Sequence, residues 1–167
     1  MLALSLIDVK DFMNKFLRSE IFDHFLLQEG VIQTAASYVI DGKINDTFYT
    51  SEEKISLGLE DDLFLPYSML RQNFFDLIKG KKAPSSFKVI LSLSNKNLAR
   101  TLAGMKSNFT AEDITALFLN IHYQEQKLTL TTGVSYRIFS TDKTVEHEWD
   151  RLVLLFLKQN EIPFEEL

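Results

Sequence analysis

The chain has 167 residues, and few of its side chains are suited to catalysis. Cysteine is absent, which excludes thiol nucleophiles, Cys-held zinc or clusters and disulfides together, and suits a cytoplasmic setting better than a secreted one. The histidines are His24, His122 and His147. A zinc or iron site usually shows two ligands at helix or hairpin spacing, and no two histidines stand in that relation. Glu20 and His24 are four apart, and His147 neighbours Glu146, Glu148 and Asp150. The first of these segments reads as bending into a strand, however, and the second as the acidic start of a helix. We therefore expect no metal and no cofactor. Gly133-Val-Ser-Tyr lacks the second glycine of a nucleophile elbow. Neither a phosphate-cradling loop nor a dinucleotide fingerprint is present among the six glycines. The best polar cluster is His122 with Asn120 on one strand face, joined by Arg137 from the adjacent strand; a small hydrolase would use it. With every other catalytic signature missing, a non-enzymatic binding or assembly module is the stronger reading.

Charge offers a different kind of site. The chain carries 18 Lys and Arg against 23 Asp and Glu, a net charge of −5. Basic residues nevertheless concentrate on the first three expected helices and their exits: Lys10, Lys15, Arg18, Arg71, Lys79, Lys81, Lys82, Lys96, Arg100 and Lys106. Gathered on one face, they would contact phosphates without reading sequence. The competing explanation is that amphipathic helices carry Lys and Arg on their wet side in any case, here beside Asp8, Asp11 and Asp76.

The elements that must hold these residues follow from hydrophobic spacing. Met1 to Ile7 lacks the basic start of an export signal and reads as a strand. No uncharged stretch approaches the roughly 20 apolar residues of a membrane helix. Val9, Phe12, Met13, Phe16 and Leu17 make one helical stripe, with Asp8 as its cap. From Phe22 to Tyr49, apolar runs broken at Glu29-Gly30 and Asp41-Gly42 predict three antiparallel strands with Asp-Gly as a hairpin turn. Pro66 opens a second helix with Tyr67, Leu70, Phe74, Leu77 and Ile78 inward and Gly80 as its stop, followed by the lysine loop. Phe87, Val89, Leu91 and Leu93 alternate as a strand, and a short helix capped near Ser94 carries Leu98 and Leu102. Two longer strands follow, the second running through Tyr136 to Phe139. Thr144 is expected to cap a last helix in which Leu154 falls opposite the apolar stripe. Leu154, Leu155 and the tail Asn160 to Leu167 are an alternative partner-docking surface.

The sequence reads as one unit used twice. Ser37-Tyr38-Val39-Ile40 matches Ser135-Tyr136-Arg137-Ile138, Thr34 matches Thr132 at the same offset, and each copy reads strand, helix, strand, strand. The expected fold is a single α+β domain over 1–167: a largely antiparallel sheet from two related βαββ halves, at about 1–58 and 86–140, with about four helices including one at 145–160. Each half alone would expose an apolar sheet face that its twin covers. Strand, helix and the hairpin from Leu119-Asn-Ile-His-Tyr123 through Leu128-Thr-Leu-Thr-Thr132 resemble the half-domain of sliding DNA clamps, as does Phe64-Leu65-Pro66 entering a helix. That resemblance implies helices facing DNA, strands outside, and self-association, since a ring needs more domains than one chain supplies. The sequence as a whole also resembles a bacterial family of unknown function, which implies no activity.

Overall fold

The structure, a computed structural model describing residues 1–167, starts with strand β1 (Ala3–Leu6) and helix α1 (Val9–Arg18). The Asp8 carboxylate accepts from the Asp11 N–H at 3.0 Å, satisfying one of the free donors at the helix start. Strands β2 (Phe25–Gln33) and β3 (Ser37–Asp41), short helix α2 (Ser51–Ser56), helix α3 (Tyr67–Ile78), strand β4 (Ser86–Leu93) and helix α4 (Asn95–Ala103) follow. The chain ends with β5 (Ile114–Gln124), β6 (Lys127–Tyr136), helix α5 (Thr144–Gln159) and β7 (Phe164–Glu166). No helix is long and apolar enough to cross a membrane.

All seven strands form one antiparallel sheet in the order β3-β2-β4-β5-β6-β1-β7. Strand alternation divides its faces. Leu27, Ile32, Phe87, Val89, Leu91, Leu117, Leu119, Ile121, Leu128 and Leu130 point to one side and share a 30-residue buried cluster with side chains of α1, α3, α4 and α5. Lys88, Ile90, Phe118, Asn120, His122, Thr129 and Thr131 point to the other side and are exposed or half-buried. The heart of the cluster is aromatic: the Phe16 ring stacks on Tyr67 with centroids 4.7 Å apart and meets Phe22 edge-on at 5.4 Å.

Several details differ from the sequence expectation. The first hairpin turns at Thr34–Ala36, not at Asp41-Gly42, and Glu29-Gly30 lies inside β2, so two strands stand where three were expected. Gly42 is required by close approach: a Cβ there would lie 1.8 Å from the Leu27 carbonyl oxygen. Strand β6 stops at Tyr136. Thr144 does not cap α5 but is its first residue: the N-cap position is Lys143, which makes no side-chain cap bond, and Asp142 before it accepts from the Thr144 N–H at 2.9 Å and hydroxyl at 2.6 Å. Leu154 packs against the core, and the tail forms edge strand β7 beside β1. The order βαββ does occur twice, as β1-α1-β2-β3 and β4-α4-β5-β6. The residue match does not follow it: Tyr38 is the second residue of β3, next to its hairpin turn, whereas Tyr136 ends β6, far from the β5–β6 turn. Strand β4 also pairs with β5 of its own half, while β1 pairs with β6 and β7 and not with β2.

Candidate functional site

The N-terminal turn of α1 and the C-terminal end of α3 meet beside the start of β4 and the end of β5. Between them is a cleft of about 490 Å³. Val9 and Met13 face it from α1, Ile78 from α3, and the stacked rings of Phe87 and Tyr123, 5.1 Å apart, from the sheet. Lys10 and Lys79 also line it. The helical period that turns Val9 and Met13 toward the cleft puts Lys10 on the exposed side of the same turn. Lys79 caps the end of α3, bonding the Phe75 carbonyl through its N–H at 2.9 Å, and Lys81 and Lys82 follow in an exposed loop. Lys82 lines a neighbouring hollow with Thr34 and Ser85 at the β2–β3 turn. The register of Ser86 with Gln33 and Gln124 brings that turn, the lysine loop and the β5–β6 turn to one end of the sheet.

The other basic residues are placed elsewhere or are engaged. Lys15 pairs with Asp11 at 2.7 Å and donates to the Glu161 carbonyl at 2.8 Å. Arg18 lies 5.2 Å over the Phe75 ring. Arg71 pairs with Asp23 and donates to the Ser19 carbonyl, both at 2.6 Å. Lys96 lines a polar cleft at the opposite end of the sheet with Asp23, His24, Asp61 and Asp62, and Arg100 is exposed on α4. Lys106 is exposed in the segment after α4. Of the ten basic candidates, Lys10, Lys79, Lys81 and Lys82 thus belong to one end, and the acidic run Glu60-Asp61-Asp62 lies at the other.

The polar trio drawn from the strands is not assembled. His122 is exposed and stands opposite Thr129, near the β5–β6 turn, whereas Arg137 follows the far end of β6 and bonds the Asp113 carbonyl through its N–H. Eight strand residues, about 26 Å, separate their levels. Asn120 donates to the Thr131 hydroxyl at 3.3 Å and lines a separate cleft on the open face with Gln28, Glu29 and Asp41. No group of three His, Asp or Glu residues is placed to hold a metal ion.

Phe87, Tyr123, Val9 and Met13 were legible only as core, since nothing along the chain marks which apolar positions border a cleft. The register of β4 with β5, which sets Phe87 opposite Tyr123, is the missing information. Elsewhere, burial and hydrogen bonding displace the pKa of two tyrosine hydroxyls, of Asp142 (lowered by its bonds from Thr144) and of one ion pair. Burial raises the Tyr67 phenol well above its ordinary value, Arg71 opposing and Asp23 reinforcing the effect. Burial also raises Tyr136, with Glu146 and Asp142 adding to it. The hydrogen bond between Arg151 and Glu148 lowers the carboxyl and raises the guanidinium.

No curated protein matches the chain, and no solved structure does. A family model described as a family of unknown function, DUF5721, matches residues 15–165, nearly the whole of the fold just described, and the protein belongs to that family.

Proposed function

We propose that the protein is a non-enzymatic binding module whose lysine-bearing sheet end contacts nucleic-acid phosphates without reading base sequence. The observation that carries this reading is the position of Lys10 and Lys79 on the same cleft, with Lys81 and Lys82 in the loop leaving it. Four ammonium groups at one end, with the acidic run Glu60 to Asp62 at the other, make a locally positive surface on a chain of net charge −5. The half-buried Tyr123 ring at the cleft supplies an aromatic surface of the kind on which an unpaired base stacks. The reading needs no ring of subunits, and its setting is the cytoplasm, which a chain without cysteine suits.

Fluorescence anisotropy with a labelled single-stranded oligonucleotide and with its duplex tests it. Binding at low salt should weaken as salt rises, with a log–log slope no steeper than about −3 to −4, the limit set by four phosphate contacts. Charge reversal at Lys79, Lys81 and Lys82 should abolish it. Absence of binding at low salt, or affinity indifferent to salt, would refute the proposal.

A further inference from the structure

The two edges of the sheet are not alike. Strand β7 is three residues long and carries Glu165 and Glu166, the short, charged edge that resists pairing with another chain. Strand β3, Ser-Tyr-Val-Ile-Asp, has one charged residue, and Val39 and Tyr38 are 61% and 42% exposed. The bonds flanking the hairpin show which peptide groups are free. The Gly42 N–H donates to the Gln28 carbonyl at 3.2 Å and the Ala36 carbonyl accepts from Thr34 at 2.9 Å. In an antiparallel ladder the direction alternates, so Tyr38 and Ile40 direct their N–H and C=O groups into the sheet while Ser37, Val39 and Asp41 direct theirs outward.

We propose that the protein self-associates through β3, two copies pairing antiparallel about a two-fold axis at Val39 to continue the sheet from one molecule into the next. The sequence is complementary to itself in that register. Val39 faces Val39 of the second copy, Ser37 faces Asp41 in both directions, and the three outward residues of each strand form about six backbone hydrogen bonds. Tyr38 falls opposite Ile40, an aromatic and β-branched pair on the helix-bearing face, where Ile40 already packs on the core. No like charges oppose each other. Pairing of β3 with β7 of another copy is disfavoured, because it adds Glu165 and Glu166 to an edge where Asp41 already stands opposite Glu29.

Sedimentation velocity over a range of protein concentration, up to about 1 mM because an edge contact of this length is weak, tests the proposal. The expected result is a monomer–dimer equilibrium. Val39→Pro removes an outward donor and leaves the bonds to β2 intact, so it should give a folded monomer, with folding checked by circular dichroism. Ser37→Asp sets carboxylates opposite each other twice and should weaken the dimer. Ser37→Lys sets ammonium against Asp41 twice and should tighten it about two- to thirty-fold. A wild-type protein that stays monomeric throughout overturns the proposal. So does a dimer that survives Val39→Pro, or two Ser37 variants that shift the equilibrium in the same direction. None of these results bears on oligonucleotide binding at the lysine end.

Discussion

The hydroxyl of Tyr67 donates to the main-chain carbonyl of Phe16 at 2.9 Å while the two rings stack at 4.7 Å. Phe16 lies in the last turn of α1, where carbonyls lack a helical partner, so a side chain of α3 completes the end of α1 in a place that water does not reach. Replacing Tyr67 by Phe keeps the stack and removes the donor. It should cost about 1–3 kcal/mol, the penalty for a buried acceptor left unpaired, or roughly 2–12 °C in Tm for a chain of this length. The same tyrosine sets an alkaline limit. Its folded-state pKa lies above the unfolded value near 10, so its contribution is complete below about pH 10 and is lost as pH rises beyond it, when the unfolded chain ionises and the folded one resists. Wild type should therefore lose stability above about pH 10 more steeply than Tyr67→Phe. Equal slopes in denaturation series at successive pH values would contradict this assignment.

Tyr136 provides the opposite case. Its hydroxyl is buried without a partner, although its ring packs on Phe109 with centroids 5.5 Å apart. Removing an unsatisfied oxygen restores no donor or acceptor debt elsewhere, so Tyr136→Phe should be neutral or stabilising by up to about 1 kcal/mol. Chemical denaturation of the two Tyr→Phe variants side by side should move the midpoints in opposite directions, or leave only that of Tyr136→Phe in place.

Gly42 shows what the chain hides. Asp41-Gly42 has the composition of a tight hairpin, yet the glycine has neither the positive φ nor the role of such a turn: its N–H bonds the Gln28 carbonyl and its Cα lies against the Leu27 backbone. Gly42→Ala should destabilise by at least the 1–3 kcal/mol typical of overpacking, because the obstacle is a carbonyl oxygen and not a movable side chain. Near-native stability of this variant in thermal melts would show that β2 and the chain after β3 separate at little cost.

The parts of the fold that were legible share one property: their signal is local. The stripe from Val9 to Leu17, the alternation from Phe87 to Leu93 and the Ser94 cap each depend on residues within a few positions. The misread parts depend on distant ones. Thr34–Ala36 turns the hairpin without glycine, and β7 exists because Pro163 and Phe164 reach β1 and the residue after it, 156 or more residues away along the chain, with the Pro163 carbonyl accepting from Ile7. The apparent Ser-Tyr repeat is a likeness of strand composition, since Tyr38 pairs with Ile32 near one turn and Tyr136 with Ile114 at the opposite end of its hairpin. In the candidate site, lysine positions were visible in the sequence, but which lysines share a cleft depends on the antiparallel packing of α1 against α3.

Arg71 marks that difference between a basic residue and a binding residue. It counted among the phosphate-contacting candidates, but its guanidinium holds both oxygens of Asp23 and the Ser19 carbonyl, all at 2.6 Å, and so ties α3 to the connection between α1 and β2. Asp23 is only 13% exposed, which makes an unpaired carboxylate costly there. Arg71→Ala should lower stability by about 1–3 kcal/mol; because all three contacts come from the one nitrogen Nη1, Arg71→Lys should recover part of that loss to the extent that its shorter side chain reaches Asp23. Under conditions where each variant remains folded, neither should change oligonucleotide affinity, whereas Lys79→Ala should weaken binding and leave the denaturation midpoint nearly unchanged. Paired anisotropy titrations and denaturation curves for the three variants check both halves, and loss of affinity in folded Arg71→Ala would return this residue to the binding surface.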